Sequence, residues 1–341
     1  MNILIIGFYG WKNTGDEAIL GGLVRAIDLT FPDNTVTVAS DIPFLFHGQY
    51  KDRRKFIDKD IEFRTLSNMN MNGFDLVIVG GGGLSIGYGA SLILNAKYNN
   101  IPVIYLGGSI NRDTLKNSVT KSYFSLFDHV SVRSSRLYKE MQEANIPCSL
   151  TFCPSVLVDT YEDRPCSPKY IVVIPRFYND YRDEIQVNII EKAILQIRDN
   201  FVIYVSSFTY EDLEGYPIDL TLSKQLQKRV RDCRILPFDG LDYQKTKWMI
   251  KNATAVINTG RYHGSVFSMM YSVPMIYNFD MTLKDNYLDD CYKNDDLLEE
   301  FDNEATKYSD DFQVIIWDEK KRQSVLNRSR NIITILEKYA R

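Results

Sequence analysis

The chain has 341 residues, a length at which one hydrophobic core usually gives way to two, so two domains are expected. Its composition, 45% hydrophobic and 25% charged with 22 tyrosines and 18 phenylalanines, argues against a disordered chain. A formal net charge of -4 argues against a general nucleic-acid binder, which needs a basic face to displace counterions from phosphates.

The five cysteines (Cys148, Cys153, Cys166, Cys233 and Cys291) are odd in number and not closely paired, which fits free thiols in a reducing compartment. Cys148 and Cys153 lack CxxC spacing and no second pair stands at zinc-ligand distance, so no metal site is expected. The opening MNILIIGFYG lacks a basic leader and reads as a first buried strand rather than a signal peptide. No run approaches the roughly 18 to 20 apolar residues of a membrane span. The expected location is the cytoplasm, with peripheral association at the inner membrane face, through a partner, as the alternative.

Short runs of Ile, Val and Leu alternate with amphipathic segments, the pattern of parallel strands covered on both faces by helices. In the first half the expected strands are Ile3 to Ile6, Thr35 to Ala39, Leu76 to Val79, Val103 to Leu106 and His129 to Val132. Helices are expected at Asp16 to Leu29, Ala90 to Tyr98, Thr114 to Leu126 and Ser135 to Ala144. The charged stretch Phe44 to Asn72 has weak periodicity and is read as an irregular excursion.

The sequence DTYEDRPCSPK, Asp159 to Lys169, has two prolines and no apolar period, and is the expected linker. The alternation then restarts. Strands are expected at Tyr170 to Ile174, Phe201 to Val205, Arg234 to Leu236, Ala255 to Asn258 and Met275 to Tyr277. The helices between them are Glu184 to Arg198, Leu220 to Val230, Tyr243 to Lys251 and Gly264 to Tyr271. A last helix carries Val325, Ile332, Ile333, Ile335 and Leu336 largely on one face, with basic residues elsewhere. Packing across a domain junction is the preferred reading of that helix over lying on anionic lipid. The division is 1-160, 168-317 and the terminal helix 318-341.

Three glycine-marked loops follow strands. GFYGWKNTGDEAIL places Gly10, Asn13 and Gly15 before a helix start, where backbone N–H groups and the helix dipole suit an anion. It matches neither GxGxxG nor a P-loop, and Asp16 and Glu17 are also ordinary acids for a first helical turn. VGGGGLSIGYG supplies Gly81, Gly82 and Gly83; four consecutive glycines exceed what one turn needs and point to close approach by a ligand or another backbone. Gly107 and Gly108 end another strand. In an open α/β sheet ligands bind beyond the carboxyl ends of strands, where all three loops lie.

Arginines also recur at strand ends: Arg133, Arg176 and Arg261. Each alone is more often a surface ion-pair partner, but together they favour an anionic ligand. His263 is one of three histidines; it stands two residues after Arg261 and before Gly264 and Ser265 in the first turn of a helix. His47 and His129 have no such company. No GxSxG elbow or Cys/His pairing supports a nucleophilic hydrolase.

With these residues in view, the chain resembles the polysaccharide pyruvyl transferase family over most of its length. The resemblance rests on GFYGWKNTGDEAIL, GGGGL, VRSSRL and above all GRYHGSVFSMMYSVPMIYNFDMTLKD, with its R-x-H helix start and terminal Lys284. The chain departs from the family pattern in having Ser134 after Arg133 where the family has Asp, Cys153 before Pro154 where it has Asp, and Tyr262 in place of a commoner leucine. The resemblance implies an α/β fold of two Rossmann-like domains facing a cleft (GT-B-like), an acceptor side in the first and a donor side in the second. It implies phosphoenolpyruvate as co-substrate, no required cofactor, and a free or lipid-linked glycan of the cell wall or an exopolysaccharide as acceptor. The expected donor-binding residues are Arg261, Arg176, Lys284, Gly264 and Ser265. His263 is the expected general acid, with Asp16 or Glu17 acting on the acceptor. The cleft or acceptor-side set is Gly10, Asn13, Gly15, Gly81, Gly82, Gly83, Gly108 and Arg133. A GT-B glycosyltransferase using a nucleotide sugar is the alternative.

Overall fold

The computed structural model describes residues 1–41, 61–67, 69–84, 86–110, 115, 117–160, 169–197, 200–209, 218–277, 297, 305–307 and 313–340. The chain forms two compact units. The first comprises Met1–Trp11, Asp16–Val158 and Val325–Arg341; the second comprises Lys12–Gly15 and Asp159–Ser324.

The first unit is built on seven strands: β1 (Asn2–Ile6), β2 (Thr35–Ser40), β3 (Ile61–Thr65), β4 (Leu76–Gly80), β5 (Val103–Gly108), β6 (His129–Val132) and β7 (Ser149–Leu150). They pair in the order β3-β2-β1-β4-β5-β6-β7, all parallel. Every residue of β4 and β5 is buried, which is why these strands read as unbroken apolar runs rather than as alternation. The crossover helices include α1 (Thr14–Thr30), α2 (Ala90–Tyr98), α3 (Ser118–Phe124) and α4 (Ser135–Glu143). Of these, α2, α3 and α4 pack into a core that includes Leu4, Ile6, Val77, Val79, Val103, Tyr105 and Val130.

Strand β3 corrects the reading of 44–72 as irregular throughout. It is an edge strand in which only Phe63 is buried, with charged residues at exposed positions, so it has no apolar run to announce it. The expected helix 114–126 is shorter, since Asn117 caps it by accepting the Val119 N–H at 2.9 Å. Ser134 caps α4 in the same way, accepting the Leu137 N–H at 3.0 Å. An aspartate can fill that role as well, so the Ser134 departure has a local structural equivalent.

The second unit has β8 (Tyr170–Ile174), β9 (Val202–Val205), β10 (Cys233–Ile235), β11 (Ala255–Asn258), β12 (Met275–Tyr277), β13 (Ala305–Lys307) and β14 (Gln313–Ile315). Their order is β10-β9-β8-β11-β12-β14-β13. β12 through β10 are parallel, whereas β14 is antiparallel to both β12 and β13. β13 and β14, three residues each, and β7, two residues, are too short to carry a periodic signal in the sequence. Helices α5 (Tyr181–Ile197), α6 (Asp219–Arg229), α7 (Tyr243–Lys251) and α8 (Tyr262–Met270) connect the parallel strands. Ile171, Val173, Val187, Ile190, Ile203, Val205, Leu222 and Ile257 are central to this core.

The terminal helix α9 (Glu319–Glu337) buries Val325, Ser329, Ile332, Ile335 and Leu336. Two of its polar residues bind within the first unit: Arg328 donates to Ser135 Oγ at 2.7 Å and Asn331 to the Leu150 carbonyl at 3.3 Å. Among the described residues no helix is long and apolar enough to cross a membrane.

Candidate active site

In the second unit the site is organised by Asn258, the last residue of β11, which is 1% exposed. Its Oδ1 accepts the N–H groups of Gly260 (3.3 Å) and Arg261 (3.0 Å), while its Nδ2 donates to the Arg261 carbonyl (2.9 Å) and to Ser265 Oγ (3.0 Å). One side-chain amide therefore shapes the turn from strand to helix and sets Arg261 at the N-cap position of α8. Gly264 is packed against this amide: a Cβ there would stand 2.9 Å from the Asn258 side chain. Ser265 is fully buried.

The guanidinium of Arg261 is held from outside its own turn. Its Nη2 donates to Asp219 Oδ1 at 2.5 Å and to Thr209 Oγ1 at 3.2 Å. Asp219, the first residue of α6, is 0% exposed, while Arg261 retains 20% exposure. Arg176, after β8, donates from Nη1 to the Gly260 carbonyl at 3.2 Å, so both arginines engage the same turn. Its backbone N–H is shared by Gln186 Oε1 (3.3 Å) and Thr259 Oγ1 (3.2 Å), and its guanidinium lies 4.8 Å from the Tyr178 ring centre.

His263 is buried at 8% exposure, edge-on to Tyr262 (5.2 Å between ring centres) and tilted against Phe267 (5.9 Å). The Lys12–Gly15 stretch of the first glycine loop reaches the same place. Thr14 N–H donates to the Phe208 carbonyl at 2.9 Å, Asn13 forms an antiparallel bridge with Thr209, and Asn13 Oδ1 accepts the Gly15 N–H at 3.0 Å. Gly15 lies directly against the His263 ring, where any Cβ would overlap Nδ1. The structure thus brings Asn13, Gly15, Arg176, Arg261, His263, Gly264 and Ser265 together within one unit.

The first unit gathers a second set. Glu17 is fully buried and accepts the Gly10 N–H at 2.8 Å. Asp16, 9% exposed, abuts Gly82, whose Cβ would stand 2.6 Å from Asp16 Oδ1. The Tyr9 hydroxyl donates to the Gly80 carbonyl at 2.6 Å, and its pKa is pushed well up by burial first and then by Asp16 and Glu17. Gly81 and Gly82 have φ of 90° and 63°, and a Cβ on Gly80 would meet the Leu106 carbonyl at 2.7 Å. Of the two reasons open for the glycine run, close approach of neighbouring backbone and side chains is realised. Gly83 bridges Ser109, Gly108 accepts the Arg133 N–H at 3.4 Å, and Arg133 is 4% exposed. Lys284 and His47 lie outside the described residues. Among the described residues no group of three His, Cys, Asp or Glu side chains could hold a metal ion.

Sequence reading missed Asp219, Thr209, Asn258 and Gln186. Asn258, between a strand and a glycine-containing turn, had a usable signal. Asp219 had none, because its role comes from three loops that meet only in the fold.

Two mainly parallel α/β sheets in separate units give the chain a GT-B-like fold. It is similar to a protein described as a UDP-N-acetylglucosamine 2-epimerase from Listeria monocytogenes (TM-score 0.59, 10% identity, 100% of this chain and 89% of that one). It is also similar to a UDP-GlcNAc 2-epimerase from Methanocaldococcus jannaschii (0.54, 12%, 96% and 99%). A third likeness is to Anabaena HepE in complex with UDP-glucose (0.51, 11%, 100% and 98%). At such identities these likenesses establish the fold alone. No curated protein matches the chain by sequence. Residues 13–277 match the family model for polysaccharide pyruvyl transferase, and the chain belongs to that family.

Proposed function

We propose that the protein transfers a carboxyethylidene group from phosphoenolpyruvate to two hydroxyls of one sugar in a cell-surface glycan or its precursor, forming a pyruvate ketal. The observation that carries this reading is the pairing, at the head of one helix, of an arginine fixed by a buried carboxylate and a histidine packed on a glycine. Family membership supports the reaction class.

Phosphoenolpyruvate carries a phosphate and a carboxylate on a three-carbon frame, so its site requires several cationic donors, and Arg261 and Arg176 supply two planar forks. His263 acts as general acid and delivers a proton to the donor methylene carbon, leaving C2 with oxocarbenium character. One sugar hydroxyl attacks C2 and releases its proton. The C2–O bond to phosphate then breaks, and the second hydroxyl closes the ketal and releases its own proton. One proton has gone to carbon; the two released restore the acid and leave with inorganic phosphate. The arginines stabilise the charge that gathers on the departing phosphate.

Incubation with phosphoenolpyruvate and a panel of glycans, followed by assay of phosphate and mass spectrometry of the glycans, tests this function. Stoichiometric phosphate release and gain of the ketal mass are expected. Turnover with nucleotide sugars alone would overturn the reading in favour of a glycosyltransferase.

A further inference from the structure

We infer that Asp219 is a positioning residue that sets the anion-binding arginines, and that its charge is required for anion affinity although it stays behind them. The inference deepens the proposed function and rests on its assignment of Arg261 to an anion.

A fully buried carboxylate is costly unless several donors satisfy it, and those that satisfy Asp219 come from three strand ends. After β8, the Phe177 N–H donates to Oδ1 at 2.9 Å. After β9, the Thr209 N–H donates to Oδ2 at 3.2 Å. After β11, Arg261 Nη2 donates to Oδ1 at 2.5 Å. The Asp219 N–H returns a bond to Thr209 Oγ1 at 3.1 Å, so Asp219 and Thr209, which both accept from the Arg261 fork, are themselves locked together.

Phe177 directly follows Arg176, so the carboxylate that orients one guanidinium also pins the backbone of the segment bearing the other. Gln186, also fully buried, completes that segment by donating to the Arg176 carbonyl at 2.6 Å and accepting from Thr259 Oγ1 at 2.6 Å. Arg261 keeps its 20% exposure while Asp219 has none, so an incoming anion meets the guanidinium and not the carboxylate. Such an arrangement prepays the rotamer entropy of a long side chain before the ligand arrives. A freely rotating arginine would lose that entropy on binding.

The test is a double-mutant cycle on anion binding, with inorganic phosphate as the first probe and phosphoenolpyruvate as the second. Calorimetric Kd values are measured for the full chain, D219N, R261A and the double variant, each checked for a cooperative thermal transition. D219N is expected to weaken phosphate binding about tenfold, and to change it less than about twofold once Arg261 is absent, because the lost bond is charge-assisted and acts through Arg261. Should D219N fail to fold, D219E, which keeps the charge but displaces it by one methylene, is expected to show the same dependence on Arg261. Wild-type affinity in the folded variant, or an equal loss with and without Arg261, would overturn the inference. Binding of phosphate without phosphoenolpyruvate would overturn the donor assignment alone, since the Asp219 effect is read on phosphate.

Discussion

Gly15 and His263, 248 positions apart in the chain, are in direct contact, with the Cα of the glycine against the imidazole so that no side chain fits between them. The contact gives the first glycine loop a reason that helix capping alone does not: its glycine leaves room for the proposed acid.

Gly15→Ala should therefore displace the His263 ring or the Lys12–Gly15 stretch. Overpacking of this kind costs about 1–3 kcal/mol. A shift of about 1 Å at a reacting group can cost about a hundredfold in rate. Thermal unfolding and turnover of the variant check both effects; a variant with wild-type rate and midpoint would show that the contact yields freely.

Asn258→Ala removes the acceptor of the Gly260 and Arg261 N–H groups and the donor to Ser265. Leaving buried partners unsatisfied costs about 1–3 kcal/mol per group. A lower denaturation midpoint is expected, with donor affinity falling as well because the turn carrying Arg261 loosens. Urea titration and calorimetry on the same preparation separate the two.

The buried ion pair makes a prediction about stability that is independent of catalysis. Arg261→Ala strands the Asp219 carboxylate at 0% exposure and should cost about 3 kcal/mol, the low end for a broken buried pair because Arg261 is 20% exposed. Adding Asp219→Asn to that variant removes the stranded charge and should recover part of the loss in a urea titration. Further loss in the double variant would contradict the pairing.

The alternation of apolar runs and amphipathic segments made most parallel strands and crossover helices legible, because strands buried on both faces leave continuous runs such as LVIVG. β3 and the β13–β14 pair lay outside that signal, being an edge strand with one buried residue and two strands of three residues. The placement of Arg261 and His263 between a strand's carboxyl end and a helix was legible in the sequence. Asp219 was not, since a lone aspartate at a helix start is ordinary and only the fold joins Phe177, Thr209 and Arg261 around it.

His129 supplies a pH prediction away from the arginines. Burial first, and then nearby Lys338, lower its pKa, and its Nε2 contacts Ser149 Oγ at 2.8 Å. The folded state thus disfavours the imidazolium relative to the unfolded chain. This contribution is present above the unfolded value of about 6.5 and is lost as pH falls through the lower folded value. Thermal midpoints of the wild type should decline from pH 7 towards pH 5 more steeply than those of His129→Gln. Parallel curves would rule out this origin.

Proton delivery by His263 is tested most directly by single-turnover transfer from phosphoenolpyruvate to an acceptor glycan in D2O, with wild type and His263→Gln compared. The wild type should release phosphate and give a ketal methyl carrying one solvent deuterium. His263→Gln should bind phosphoenolpyruvate but lose about a hundredfold or more in the rate of that step, the usual weight of a positioned general acid. Wild-type rate in the folded variant, or a product without deuterium at the methyl carbon, would contradict it.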